Sequence, residues 1–346
     1  MRVLHVTPLG PARIASTPVV SGAELLGGQR VLGAPPPSTV LGALGAALGV
    51  RLSAKEVSGD PLYGLGTLVD ELSKRRAVQG AILEGPLIRV VKDGVEEVTV
   101  PVYSKDRVLL VKLSGMLRAA RSLAIEEDDV VGVSKPLIRV GVALRDVLGE
   151  PWNRVVEHGY TFRSGLVTYV SRRGGGLGVE FVYKLALDVE VDGLIRFGGE
   201  GRHAILKVSE LARWEPLNRL TSPLEVEPGL YVVVSYWPLM PRRLDALYLS
   251  KENFVGLEVF DDPLTDIIGV PEVKISGRIR APRLRVVRIG LGFSEVIKVR
   301  RPMILALPPG TLLRIEKGFA EAASQVPKAY IDLLRAGYAS LLKVGA

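Results

Sequence analysis

From Val179 to Val191 every second residue is apolar: Val179, Phe181, Tyr183, Leu185, Leu187, Val189 and Val191. Between them stand Glu180, Lys184, Asp188 and Glu190, with Asp192 closing the run. A strand sends alternate side chains to opposite faces, whereas a 3.6-residue helical period would scatter these over the whole surface. The run therefore predicts a half-buried antiparallel strand, and with it a sheet that has one closed face. Its expected partner is the segment 166–170. The connection, Ser171-Arg172-Arg173-Gly174-Gly175-Gly176, is flexible and basic. Together these make a hairpin over about residues 160–192 whose tip, Arg172 and Arg173, either projects toward nucleic acid or is an ordinary surface turn.

Other strands are expected at 3–6, 81–91, 96–103, 108–113, 204–208, 230–237, 284–289, 293–299, 303–306 and 312–316. Helices are expected at 37–48, where Ser38 is a candidate N-cap, at 62–76, and at 329–343, interrupted by Gly337. Strands and helices in no regular βα alternation argue for α+β with antiparallel sheets. A length of 346 residues favours two domains, placed at 1–210 and 211–346. The segment 10–36 is rich in glycine, proline and small residues and reads as a long loop, a kind that is usually functional or ordered by a partner. The helix after it points its positive end at that loop, which suits an anion.

The chain has no cysteine, which excludes disulfides, thiolate metal sites and a cysteine nucleophile. No stretch is long and apolar enough to read as a membrane span, and the first residues read as a strand rather than a signal peptide, so a cytoplasmic protein is expected. Asn is confined to Asn153, Asn218 and Asn253, and Gln to Gln29, Gln79 and Gln325. That depletion suggests a thermophile.

The formal net charge is +8. Between Val273 and Arg301 lie nine cations, Arg278, Arg280, Arg283 and Arg285 among them, and a single acid, Glu295. This one segment equals the net charge of the chain. A basic stripe is the footprint of a polyanion-binding surface, or else a solvated strand face or a seat for an acidic protein. The acidic run Glu126-Glu127-Asp128-Asp129 reads as solvated rather than metal-binding.

A second feature is Phe197-Gly198-Gly199-Glu200-Gly201-Arg202-His203. Glycines allow a positive φ and close approach to the main chain. With Arg202 alongside, the turn suits a phosphate, or it is only a tight turn. Of the histidines, His5 lies in a strand and His158 in a loop, and His203 is the best placed to contact a phosphate or base. Metal-free RNA cleavage needs a general base and acid around one phosphate, such as His with Tyr or Lys, and no such pair is adjacent in sequence. A phosphate-binding P-loop and a dinucleotide fingerprint are both missing, and no cofactor is expected.

Three landmarks occur in order: Pro35-Pro36-Pro37-Ser38-Thr39-Val40-Leu41-Gly42-Ala43-Leu44, then Phe197 to Ala204, then Ala306-Leu307-Pro308-Pro309-Gly310-Thr311-Leu312-Leu313. Together they resemble the third subunit of the Cmr complex, the type III-B CRISPR effector, a family of the RAMP superfamily. The resemblance implies two ferredoxin-like (RRM-like) halves. It implies a structural, non-enzymatic subunit that holds the 5′ repeat-derived tag of the CRISPR RNA. The implied protein neighbours are the large polymerase/cyclase-like subunit and a backbone RAMP subunit. The positions that match its landmarks are Ser38 and Thr39 at the helix start and Gly198, Gly199, Arg202 and His203 in the turn. Arg172, Arg173 and the stripe from Arg278 would add charge, and Tyr160, Phe162 or Tyr169 would stack on bases. The alternative from the same superfamily is a metal-independent endoribonuclease that processes CRISPR precursor RNA.

Overall fold

The structure is a computed structural model. It describes the chain except residues 15–31, 76–79, 93, 106, 147–153, 200, 244, 247, 320–325 and 346, and the side chains of 92 and 138–164. Most of the long first loop, and the side chains of His158, Tyr160 and Phe162, thus lie outside the described residues.

The first part of the chain contains β1 (Arg2–Pro8), α1 (Pro37–Ala47), α2 (Ala54–Gly59), α3 (Leu65–Ser73), β2 (Leu83–Lys92), β3 (Val95–Ser104), β4 (Arg107–Lys112) and α4 (Leu113–Ser122). It continues with β5 (Ala124–Ile125), β6 (Val130–Asp146), β7 (Arg154–Ser171), β8 (Gly178–Leu185), β9 (Asp192–Arg196) and β10 (His203–Glu210). All of these strands except β5 form one nine-stranded sheet in the order β7-β6-β4-β3-β2-β8-β1-β10-β9. Every neighbouring pair is antiparallel.

The alternating run is a strand, as its period requires, but only to Leu185 and with other partners. β8 lies between β1 and β2, while β7 pairs along its length with β6. The two expected arms meet near the turn, through an isolated bridge from Val170 to Gly176 and a hydrogen bond from Leu177 N–H to the Tyr169 carbonyl, and do not pair as a ladder. The projecting hairpin over 160–192 is therefore corrected. A strand with alternate residues buried on both faces is satisfied in the middle of a sheet, where both of its edges are paired. Beyond Leu185 the chain leaves the named strands of the sheet; Leu187, in an isolated bridge, and Val189 remain buried.

The two faces of the sheet have different cover. Leu4, Val6, Leu206, Phe181 and Tyr183 face α1 and α3, whose Val40, Leu41, Leu44, Leu65 and Val69 are in the same core. Gly45 lets these helices meet closely, because a Cβ there would lie 2.8 Å from Leu68 Cδ1. On the opposite face Val3, Leu87, Val100, Val102 and Val182 pack with Met116 and Ala119 of α4 and with Val232, Leu312 and Leu342 of the second part of the chain. That cover stops short of β9 and β10, whose outward side chains stay in solvent.

The second part contains α5 (Glu215–Asn218), β11 (Leu220–Thr221), β12 (Gly229–Val233), β13 (Trp237–Pro241), β14 (Phe254–Val255), α6 (Pro263–Asp266), β15 (Ile267–Gly269) and β16 (Glu272–Val273). It ends with β17 (Val287–Gly290), β18 (Phe293–Ser294), β19 (Val299–Arg300), β20 (Met303–Leu307), β21 (Leu312–Ile315), α7 (Lys328–Ala336) and β22 (Leu341–Lys343). One sheet has the order β11-β22-β12-β21-β15 and another β14-β13-β20-β17. The expected strand 230–237 divides between them: β12 belongs to the first, β13 to the second. The expected helix 329–343 stops at Gly337, which takes a left-handed φ of 107°, and the chain returns as β22. A left-handed residue ends a helix by turning its last carbonyls onto the following N–H groups.

Candidate nucleic-acid interface

The glycine-rich turn joins β9 to β10 at one end of the large sheet. Phe197 N–H donates to the Arg202 carbonyl at 2.8 Å, and Leu9 N–H, just past β1, donates to the His203 carbonyl at 3.1 Å. Gly198 and Gly201 have φ of 74° and 64°. A Cβ on Gly198 would strike the carbonyl oxygen of Arg13, and one on Gly199 would lie 2.8 Å from Arg13 Cδ. The close approach that these glycines permit is thus made by the chain itself. They seat the first loop on the turn rather than leaving their own backbone open to a ligand.

Arg202 and His203 face outward from that seat. With Leu9, Gly10, Pro11, Leu194 and Gly201 they line a cavity of about 200 Å³. Arg202 Nε is buried and has no hydrogen-bond partner among the described residues. A buried, unpaired donor on a cation is costly unless an anion meets it.

Strand register extends this corner into a surface. His203 lies opposite Arg196, Ile205 opposite Leu194, and Lys207 opposite both Asp192 and His5. Cross-strand partners share a face. Arg196, His203 and Lys207 therefore stand beside Leu194 and Ile205, which are 61% and 40% exposed. Arg196, Arg202 and Lys207 make no ion pair among the described residues. Sequence reading missed Arg196, Lys207 and the two aliphatic residues. The signal was present in β10, where His203, Ile205, Lys207 and Ser209 alternate with the buried Ala204 and Leu206 and the half-buried Val208.

The other expected contacts are placed differently. Ser38 is 2% exposed, and its hydroxyl is 2.9 Å from that of Tyr338. It lies inside the first turn of α1, whose N-cap is Pro36, so the expected capping role is corrected: the hydroxyl serves a core contact instead. Thr39 is half-buried beside it. Ser38→Ala is expected to lower stability by about 1 kcal/mol through loss of that hydrogen bond, with RNA affinity unchanged; chemical denaturation and a binding titration check both halves.

Arg172 turns back onto the acidic run. Its guanidinium pairs with the Glu127 carboxylate, donates to the Glu127 carbonyl at 2.7 Å and lies 3.7 Å from Asp128. Asp129 of the same run is buried and pairs with Arg118 at 2.7 Å. Glu126, Glu127 and Asp128 are exposed, as expected of a solvated run, while Asp129 is the buried exception, and the run also anchors two arginines. Arg173 is exposed, with no ion pair among the described residues. In the stripe, Arg280, Arg283 and Arg285 converge on Glu272, at 3.9, 2.8 and 3.4 Å. Glu272 lies one residue before the stripe as the sequence delimits it. Arg278 is exposed and unpaired among the described residues.

Tyr169 is not a stacking platform. It is buried, its hydroxyl donates to the Gly33 carbonyl at 2.8 Å, and burial raises its pKa far above the ordinary tyrosine value. Tyr183, Tyr236 and Tyr338 are also core residues. His5 is held at both ring nitrogens, Nδ1 3.3 Å from Glu180 Oε2 and Nε2 2.9 Å from Ser209 Oγ. Arg89 Nε lies 2.7 Å from the same Glu180 oxygen. Burial opposes the Glu180 charge, but His5 and Arg89 outweigh it and hold the carboxyl below its ordinary value. A depressed carboxyl contributes stability above its unfolded pKa, and loses it as pH falls through the folded value. Glu180→Gln is therefore expected to flatten the loss of thermal stability below about pH 4.5, as read from melting curves across that range.

Among the described residues no group of three or more His, Cys, Asp or Glu side chains is placed to hold a metal ion. No helix among them is long and apolar enough to cross a membrane.

No protein-family model matches this chain, and no curated protein sequence matches it. Solved structures do share its fold. A chain of the type III-B Cmr-β complex bound to cognate target RNA, determined by electron cryo-microscopy, superposes with a TM-score of 0.62 at 18% identity, over 99% of this chain and 97% of that one. A chain of the same complex bound to cognate target RNA and AMPPNP gives 0.62 at 19% identity, with the same coverage. The class is thus a mixed α/β fold with several antiparallel sheets, shared end to end with chains found in Cmr-β assemblies.

Proposed function

We propose that this protein is a non-catalytic subunit of a type III-B CRISPR effector complex that binds the guide RNA and holds its 5′ repeat tag. In this reading it bridges the large polymerase/cyclase-like subunit to a backbone RAMP subunit. The observation that carries it is the open corner of the large sheet, where Arg196, Arg202 and Lys207, without ion pairs among the described residues, stand beside exposed Leu194 and Ile205. Cations in a row attract phosphates. The likeness to Cmr-β chains supports the assembly.

Strand order supports the domain reading. In β10-β1-β8-β2 the strands, renumbered within the unit, run 4-1-3-2, all antiparallel, with α1 to α3 crossing between the first and second. In β22-β12-β21-β15 the same order recurs, with α7 between the third and fourth. Each is the order of a ferredoxin-like unit, and these form the cores of 1–210 and 211–346. The segment β3 to β7 is an insertion that widens the first sheet.

The test is a gel with 5′-labelled, repeat-tagged RNA and chelator, with and without the large subunit. Tag-dependent binding of intact RNA is expected. Metal-independent cleavage that is abolished by His203→Ala would establish the processing nuclease instead.

A further inference from the structure

The segment from Glu272 to Met303 has a composition and placement that the RNA-binding corner does not explain. Among the described residues, eight of the nineteen exposed large hydrophobic side chains lie between Ile275 and Met303. Ile275 and Ile279 flank a tight turn in which Ser276 and Gly277 have φ of 50° and 76°, and each is 59% exposed. Leu284 and Val286 follow just before β17, and Phe293 starts the β18–β19 hairpin. β17 forms one border of its sheet and pairs on one side only, with β20. The turn is fixed to the body by β16, which pairs in parallel with β5, and by Lys274 Nζ, 3.2 Å from Glu126 Oε1.

We propose that this ribbon docks a protein, and that its occupant is a companion surface with an apolar centre and an acidic rim. The alternative, a nucleic-acid strand, fits the ribbon poorly. Three arginines already share Glu272, Lys298 pairs with Glu295 at 2.9 Å, and Arg301 is half-buried and donates through Nε to the Tyr63 carbonyl. Phosphate binding uses free, flexible cations and aromatic platforms, and the exposed apolar set here is aliphatic apart from Phe293. Clustered exposed aliphatics mark protein contacts. The ribbon still carries nine cations against Glu126, Glu272 and Glu295, so its field selects an acidic partner, with Arg278 and Arg288 as exposed cations that make no ion pair among the described residues.

The proposal rests on the subunit reading above only for the source of the companion. Two variants of the full chain are compared with the unaltered protein: Arg278→Glu with Arg288→Glu, and Ile279→Ser with Phe293→Ser. All these side chains are exposed, and melting curves check that each variant is folded. The companions are the separately purified subunits of the type III-B complex from the same source, and association is read by sedimentation velocity. The RNA probe is the repeat-tagged strand. Each variant is expected to lose about 10-fold or more in association with one companion while its RNA affinity stays within about twofold. Weakened RNA binding with unchanged association would overturn the proposal, as would no change in either. Failure of the unaltered chain to associate with any companion would overturn it too, while the tag-RNA gel still decides the RNA reading by itself.

Discussion

Replacing Arg196, Arg202 and Lys207 together by alanine is expected to lower affinity for single-stranded RNA about 100-fold at moderate salt. The slope of log affinity against log salt should fall by about 2, at roughly 0.7 per lost phosphate contact. All three side chains lack ion partners among the described residues, so their charge is available to phosphate. Arg283→Ala is the matching control. That arginine shares Glu272 with two others, and its removal is expected to leave the slope unchanged. A salt titration by fluorescence anisotropy measures all four quantities. An unaltered slope in the triple variant would remove the open corner of the sheet from the RNA-binding surface.

Gly337→Ala is expected to destabilise the protein by about 3 kcal/mol, the largest effect of any single methyl considered. Gly337 closes α7 with a φ of 107°, and a Cβ there would sit 2.6 Å from the carbonyl oxygen of Leu83 and 3.0 Å from its Cβ. These atoms belong to β2, so the strain falls where the two parts of the chain join. Gly174→Ala separates the backbone term from the clash. Its φ is 90°, but nothing lies within 4 Å of the added methyl, and a cost of about 1 kcal/mol is expected. Equal losses for the two variants, in chemical denaturation, would show that the close approach at Gly337 contributes nothing.

The period of two in 179–185 made β8 legible in the sequence, and Gly198 with Gly201 marked the turn correctly. The partner of β8 was not legible, because pairing depends on β1 and β2, which lie about 175 and 95 residues away in sequence. Local hairpin logic favoured the segment 166–170 simply because it was near. Glu272 illustrates the same limit. It stands at the border of the stripe, and only the fold brings Arg280, Arg283 and Arg285 onto one carboxylate. Charge counting along the chain therefore overstated what the stripe offers a polyanion. Ser38 was read as a cap from its place before an apolar run, but its hydroxyl is used by Tyr338, 300 residues later. Arg202 and His203 were found because the turn concentrates them locally. Arg196 and Lys207 needed the register of β9 and β10 to join them.

The position of β1 between β8 and β10 sets a timetable for synthesis. Both neighbours lie more than 170 residues downstream, so β1 leaves the ribosome long before either can pair with it. At 5–20 residues per second, roughly 10–40 s separate its emergence from that of β8. Throughout that interval Leu4 and Val6 have no sheet to enter, and two unpaired strand edges are open to other chains. Yield in a cell should accordingly respond to chaperone supply and translation speed more than to the stability of the finished molecule.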